Sequence, residues 1–309
     1  MKFFLTLLLI AVTSMAASNQ DPTQRIGQPQ QPNTPSEVDL ELKQVAALYK
    51  TGKFAEAQAH AERAVLLAPS NLTAAIFLAR VRHQRYRPRD ETPENIELAR
   101  SAITAYQNVL SLDPQHEEAY KAIAVLYAST HQDELLRAWV LQRATNSQVS
   151  NEKRAEAYSV LAGKDWDCSY KFTELPNHKI ADADRKKVTY KLPAEDLVEF
   201  QKIKQCVTEG LEMADAAILL DSECEAAWSY KTNLFLEAAK LAEMEGMDLA
   251  KPDFEKQAKE AGAQAARIAD KHRREEEQGL RPRSNGLYVG PPQPAPPEPS
   301  PQRVPTPLP

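Results

Sequence analysis

The chain has 309 residues, with 38 Lys and Arg against 43 Asp and Glu, and a formal net charge of −5. Because acidic and basic side chains are interspersed without a basic stripe, this composition argues against a nucleic acid as the main partner. Glycine is scarce, at nine residues, whereas Ala, Leu, Glu and Lys are frequent, which predicts an all-α core rather than a sheet-rich fold.

Residues 1–17, MKFFLTLLLIAVTSMAA, have the pattern of a secretory signal peptide. One lysine precedes an apolar run from Phe3 to Val12, and small residues follow at Ala16 and Ala17. A membrane-spanning helix needs about 20 apolar residues, roughly twice the length of this run. No cysteine that could carry a lipid follows the small residues. We therefore expect an exported protein, periplasmic or secreted, that is not inserted in a membrane after the leader is cleaved.

Two polar segments are expected to flank the helical core. Residues 18–36 contain almost no large apolar side chains, so they cannot bury enough surface to offset the entropy of ordering, and we expect a disordered linker. Residues 278–309 are expected to form a disordered tail. Ten of the nineteen residues from 291 to 309 are proline, a composition that favours extended polyproline II. The ordered domain is therefore predicted at 37–277.

The first predicted helical hairpin spans 38–71. Apolar residues recur at helical spacing from Val38 to Lys50, and Thr51-Gly52 indicates the end of this helix. The next stretch, KFAEAQAHAERAVLLAPSN, places small residues along one helix face and stops at Pro69. Small residues let two helices approach closely. This segment resembles the tetratricopeptide repeat (TPR), a helical hairpin of about 34 residues that stacks into a right-handed superhelix.

The resemblance extends over five consecutive hairpins. They lie near 38–71, 72–116, 117–150, 155–224 and 225–277. The fourth hairpin contains an insertion at 171–195, and the third departs from the family pattern at Leu136 and Arg143, where small residues are usual. Because several copies occur in tandem and two of them end in proline at the family's spacing, the pattern predicts a TPR-like domain.

In proteins of this repeat family, the outward positions of each first helix form the concave ligand surface. The resemblance therefore implies a binding face that holds a protein or peptide partner, with no cofactor. The residues at these positions are Leu42, Tyr49, Ile76, Arg80, His83, Lys121, Val125, Ser229 and Asn233.

One known mode of peptide binding is not expected. Members of the family that clamp the carboxylate end of a chaperone use Lys, Arg and Asn at set positions of the concave face. This chain has other residues there, namely Leu42, Ala46, Phe77, Glu118 and Ala122. A chaperone tail is therefore a disfavoured partner.

The chain has three cysteines, and the repeat resemblance implies which two are neighbours. In the TPR register, Cys168 falls at the end of the first helix of the fourth hairpin, and Cys206 falls near the start of the second helix. These two places lie side by side at the hairpin turn, so the resemblance implies a disulfide that closes the insertion. Cys224 falls at the opposite end of the hairpin and is expected to stay outside this disulfide.

Motifs for catalysis or metal binding are not recognisable in the sequence. Cys168, in the stretch WDCSY, could be a nucleophile, but the nearest histidine in the sequence, His178, has no partner motif. The six histidines are scattered, and no C-x-x-C pair occurs. We expect a scaffold with no metal, no cofactor and no enzymatic activity. The alternative is an enzyme, or an accessory subunit of one, with its site on the 171–195 insertion.

Overall fold

The computed structural model describes residues 36–182, 187–247 and 249–280. The predicted leader, the linker up to residue 35 and the tail beyond residue 280 lie outside the described residues. The described part contains ten α-helices: α1 (Glu37–Lys50), α2 (Phe54–Leu67), α3 (Leu72–Arg85), α4 (Pro93–Leu112), α5 (Glu117–Ser129), α6 (Asp133–Thr145), α7 (Asn151–Thr173), α8 (Leu197–Leu220), α9 (Glu225–Met244) and α10 (Lys251–Glu277).

Each helix packs against the next one along the chain, from α1 to α10. In addition, α1 contacts α3 and α7 contacts α9, so that first helices of neighbouring hairpins also meet. Small side chains lie at these contacts, as in α2, where Ala57, Ala61 and Ala64 are fully buried. The all-α repeat fold is thereby confirmed, while the right-handed superhelix stays a prediction.

Local sequence signals account for where several helices begin and end. At the start of α1, the Ser36 hydroxyl accepts a hydrogen bond from the Asp39 backbone N–H, and the Asp39 carboxylate accepts one from the Ser36 N–H. This reciprocal pair satisfies backbone donors that have no partner within the helix. After α1, Gly52 has a φ of +73°, a left-handed conformation that suits the turn into α2.

The insertion in the fourth hairpin was predicted at 171–195, and in the structure it spans residues 174–196, since α7 continues to Thr173 and α8 begins at Leu197. Between these helices lie two 3₁₀ turns, Pro176–His178 and Ala194–Asp196, and an antiparallel pair of strands. The strands are β1 (Lys179–Asp182) and β2 (Lys187–Tyr190), with Ile180 opposite Thr189. Strand β2 contacts α9, so this small hairpin is attached to the repeat that follows.

Cys168 and Cys206 form a disulfide, as predicted, with their Cα atoms 6.3 Å apart. The bridge lies farther from the insertion than predicted, since Cys168 is about one and a half turns before the end of α7 and Cys206 about two and a half turns into α8. It therefore joins the bodies of two packed helices. Cys224 is a free, half-buried thiol at the N-cap of α9.

Gly210 lets α8 approach its neighbours closely. A Cβ atom added to Gly210 would lie 2.8 Å from Cδ2 of Leu234 and 2.9 Å from Cβ of Asp165. Leu234 is fully buried and Asp165 is nearly so, which leaves little room for either to move. By contrast, a Cβ atom at Gly262 of α10 would meet Thr232 at an ordinary contact distance of 3.4 Å.

We expect Gly210→Ala and Gly262→Ala to change stability in opposite directions. At Gly210 the overpacking cost of about 1–3 kcal/mol exceeds the helix-propensity gain of about 1 kcal/mol, so the free energy of unfolding should fall. At Gly262 the propensity gain acts almost alone, and the free energy of unfolding should stay level or rise. Urea unfolding followed by circular dichroism measures both variants. Equal effects of the two substitutions would show that Gly210 is not a close-packing site.

Candidate functional site

Two cavities lie along the face built by the first helices of the hairpins. The α1–α5 cavity has a volume of about 400 Å³ and the α5–α9 cavity about 310 Å³. The α1–α5 cavity is lined by Tyr49, Arg80, His83, Gln84, Tyr106, Glu118, Lys121, Ala122 and Val125. The α5–α9 cavity is lined by Tyr120, Lys121, Ala124, Leu136, Val140, Arg143, Lys153, Glu156, Ala157, Ser159, Val160, Ala226 and Tyr230.

Lys121 belongs to the lining of both cavities, so they are neighbours, and we call the two together the groove. The structure brings five of the predicted binding residues into the α1–α5 cavity, namely Tyr49, Arg80, His83, Lys121 and Val125. The other four predicted residues are half-buried and line neither cavity: Leu42, Ile76, Ser229 and Asn233.

The polar wall of the α1–α5 cavity is held by contacts within the protein. Arg80 Nε donates a hydrogen bond of 2.6 Å to Glu118 Oε1, and this contact holds the pKa of Glu118 below its ordinary value. His83 Nδ1 lies 3.3 Å from the Tyr106 hydroxyl. Burial lowers the pKa of His83, which favours a neutral ring near pH 7. This wall is therefore fixed in place and close to neutral.

In the α5–α9 cavity, Arg143 supports the aromatic wall. Its guanidinium carbon lies 4.0 Å from the centre of the Tyr120 ring, and its Nη2 donates to both carboxylate oxygens of Glu117 at 2.7 Å. Lys153 pairs with the same carboxylate at 2.6 Å. Burial alone would raise the pKa of Glu117, but the hydrogen bonds from Arg143 and Lys153 lower it below the ordinary value. The wall is thus rigid and charged.

The floor of the α5–α9 cavity is apolar. Leu136 and Val140 of α6 are almost fully buried beneath it, and Val160 of α7 lies at its side. The Tyr230 ring closes the α9 side, where it rests on Gly163. A Cβ atom at Gly163 would be 2.6 Å from Cζ of Tyr230, so only glycine leaves room for the ring in this position.

Sequence reasoning missed most of the α5–α9 cavity, although one signal was visible. Leu136 and Arg143 replace the small residues usual in the repeat family that the sequence resembles, and both line the cavity. Large side chains between helices prevent the close approach that alanine permits, and such positions are where a gap can form. On α9 the cavity is lined by Ala226 and Tyr230, which lie three residues before the predicted Ser229 and Asn233.

The insertion is attached to the helices by a buried ionic cluster. Lys240 Nζ lies 2.7 Å from Glu237 Oε1 and 2.9 Å from Glu174 Oε1, and the Thr173 hydroxyl donates to Glu237 at 2.6 Å. Glu237 is only 2% exposed. Burial raises its pKa, although Lys240 and Thr173 act in the opposite direction. Lys179, at the start of β1, pairs with Glu174 at 2.8 Å, so the cluster links α7, α9 and the insertion.

The histidine nearest to WDCSY in the sequence is part of the same structural region. His178 is fully buried, with Nδ1 2.8 Å from the Phe172 carbonyl oxygen and Nε2 2.8 Å from Asp196 Oδ2. Both ring nitrogens are therefore occupied by contacts that close the insertion onto the ends of α7 and α8. Within the described residues, no cluster of three or more His, Cys, Asp or Glu side chains could hold a metal ion.

Comparison with known proteins does not assign the chain to a family. No family model matches it, and a search of curated proteins found no match. In the part of the chain that the structure describes, none of the helices has the length and apolar character required to cross a membrane.

Proposed function

We propose that this chain is an exported, TPR-like scaffold that holds a protein or peptide of the cell envelope in the groove. The observation that carries this proposal is that the two neighbouring cavities along the first helices share Lys121 in their linings. A groove with apolar floors and a few fixed polar groups suits an extended segment, whose side chains enter the cavities in turn. The function is therefore binding and assembly rather than catalysis.

Export is supported by two independent features. The pattern of residues 1–17 is that of a secretory leader, and the disulfide between Cys168 and Cys206 is a bond that persists in oxidising compartments such as the periplasm or the cell exterior. The scaffold is therefore proposed to act in one of these compartments.

The geometry favours the groove over the insertion as the functional site. In the insertion, the His178 ring is enclosed and both of its nitrogens are hydrogen-bonded, so a substrate has no access to it in this structure. The groove, by contrast, is open, and Arg80, Arg143 and Lys153 are already held by partners within the protein, which reduces the entropy lost when a ligand binds.

Photocrosslinking in the native host tests this proposal. We expect a photoreactive amino acid at Val125 or Val160, one in each cavity, to capture a distinct protein, because both positions face the bound segment. The matched control is Leu219 of α8, an apolar residue that is 88% exposed. Capture there should be at background level.

The same experiment includes the insertion. Ile180 of β1 is half exposed and reports contacts of the 171–195 region. Capture at Ile180 but at neither groove position would contradict the groove proposal and favour a site on the insertion. Equal capture at Val125, Val160 and Leu219 would indicate non-specific contact.

A further inference from the structure

We propose that the groove selects an extended peptide segment in which an acidic side chain lies next to a large apolar one. The acid pairs with Lys121, and the apolar side chain enters the α5–α9 cavity. This inference rests on the proposed function and adds the chemistry of the partner.

Lys121 is less tightly paired than the other cations of the groove, since Glu156 attracts it electrostatically but forms no ion pair with it. Arg80 is paired with Glu118, whereas Arg143 and Lys153 share Glu117. Within the described residues, Lys121 takes part in no ion pair. It nevertheless lines both cavities, so a segment that occupies both lies beside the Lys121 side chain. A half-buried cation of this kind is complementary to a carboxylate supplied by the ligand.

The neighbouring wall also carries positive charge. Because the single carboxylate of Glu117 is shared by Arg143 and Lys153, this group keeps one positive charge. One acidic side chain, Glu156, lines the cavity. Burial raises the pKa of Glu156, whereas the charge of Lys121 acts in the opposite direction. The three cations Arg143, Lys153 and Lys121 outnumber the two carboxylates, Glu117 and Glu156, at this cavity. A basic ligand would therefore meet like charges in a partly desolvated site.

The apolar part of the preference follows from the cavity next to Lys121. Leu136 and Val140 form its floor, and the rings of Tyr120 and Tyr230 stand at its sides. A volume of about 310 Å³ accommodates a side chain such as Leu, Met or Phe. Because Lys121 lies on the rim of the same cavity, the acidic and apolar side chains are expected to be close neighbours in the peptide.

Selection of random 12-residue peptides displayed on phage, with the purified full chain as bait, tests the inference. We expect enrichment of peptides with Asp or Glu beside Leu, Met or Phe. Lys121→Glu should reverse the preference towards Lys or Arg, and Lys121→Gln should remove it. The matched control is Lys259→Glu, at an exposed lysine of α10 outside both cavities, which should keep the acidic preference. For one selected peptide, fluorescence anisotropy should show at least a tenfold weaker affinity for Lys121→Glu.

The outcomes separate the inference from the proposed function. Peptides that bind without an acidic residue, or whose acid preference Lys121→Glu leaves unchanged, would overturn the inference while the binding function stands. Enrichment of proline runs resembling 291–309 would assign the groove to the chain's own tail and also overturn the inference. If no peptide is enriched by a bait whose circular dichroism shows a folded chain, both proposals fail together.

Discussion

Reduction of the disulfide between Cys168 and Cys206 is expected to lower the free energy of unfolding by about 4 kcal/mol. The two cysteines are 38 residues apart in sequence. In the chain-entropy model, opening a loop of this length gives the unfolded chain conformational freedom worth about 4 kcal/mol at 25 °C. The folded state loses little, because α7 and α8 pack against each other along their length and hold the two positions together.

The measurement is urea unfolding in the presence and absence of a phosphine reductant. It should be made in a Cys224→Ala background, so that the free thiol cannot exchange with the disulfide. Oxidised and reduced samples then differ only in the bond. Coincident unfolding midpoints would contradict the prediction and show that packing alone determines the stability of this hairpin.

Lys240→Met is expected to lower the free energy of unfolding by about 3–5 kcal/mol. The substitution removes the cation that faces two carboxylates, Glu237 and Glu174, and Glu237 is only 2% exposed. A buried charge left without its partner is strongly destabilising. The double variant Glu237→Gln, Lys240→Met should recover much of the loss, since Gln can still accept the hydrogen bond from Thr173.

The loss of unfolding free energy caused by Lys240→Met should become smaller as the pH falls. Burial already raises the pKa of Glu237, and removal of Lys240 raises it further. The folded state of Lys240→Met then binds a proton more readily than the unfolded chain, so its unfolding free energy, relative to that of the unchanged protein, should increase as the pH falls. Guanidinium unfolding at pH 8 and pH 5 should show the deficit narrowing at pH 5.

The control for the Lys240→Met experiment is Lys204→Met. Lys204 pairs with Glu245 at 2.8 Å, but its side chain is 41% exposed. A pair of this kind contributes about 0–1 kcal/mol, so the effect should be small. A loss at Lys240 no larger than that at Lys204, or one that is the same at both pH values, would contradict the role assigned to the buried cluster.

Helix boundaries were the part of the fold most accessible from sequence, because their determinants are local. The stretch from Val38 to Lys50 was predicted as a helix that stops at Thr51-Gly52, and α1 runs from Glu37 to Lys50. The signals were apolar periodicity and a glycine suited to a left-handed turn. The pairing of Cys168 with Cys206 was accessible by a different route, since it came from the register of the repeat resemblance.

The two strands of the insertion could not be predicted from local sequence signals. Strands β1 and β2 have four residues each, too few for a period of two to stand out. They depend on contact between β2 and α9, which lies far along the chain. The ionic cluster also depends on a contact between residues distant in sequence. Lys240 and Glu174 are 66 residues apart and meet only when α9 packs beside α7.

By itself the sequence determined the helical class, because this follows from apolar periodicity along the chain, while the pairing of Cys168 with Cys206 was implied by the repeat resemblance. Only the tertiary structure decided which side chains form the groove. A shift of one residue turns a helix face by about 100°, so Tyr230 rather than Ser229 lines the cavity once α9 has docked. The absence of an ion pair at Lys121 within the described residues was likewise decided by packing, since Glu118 pairs with Arg80 and Glu117 with Arg143 on other helices.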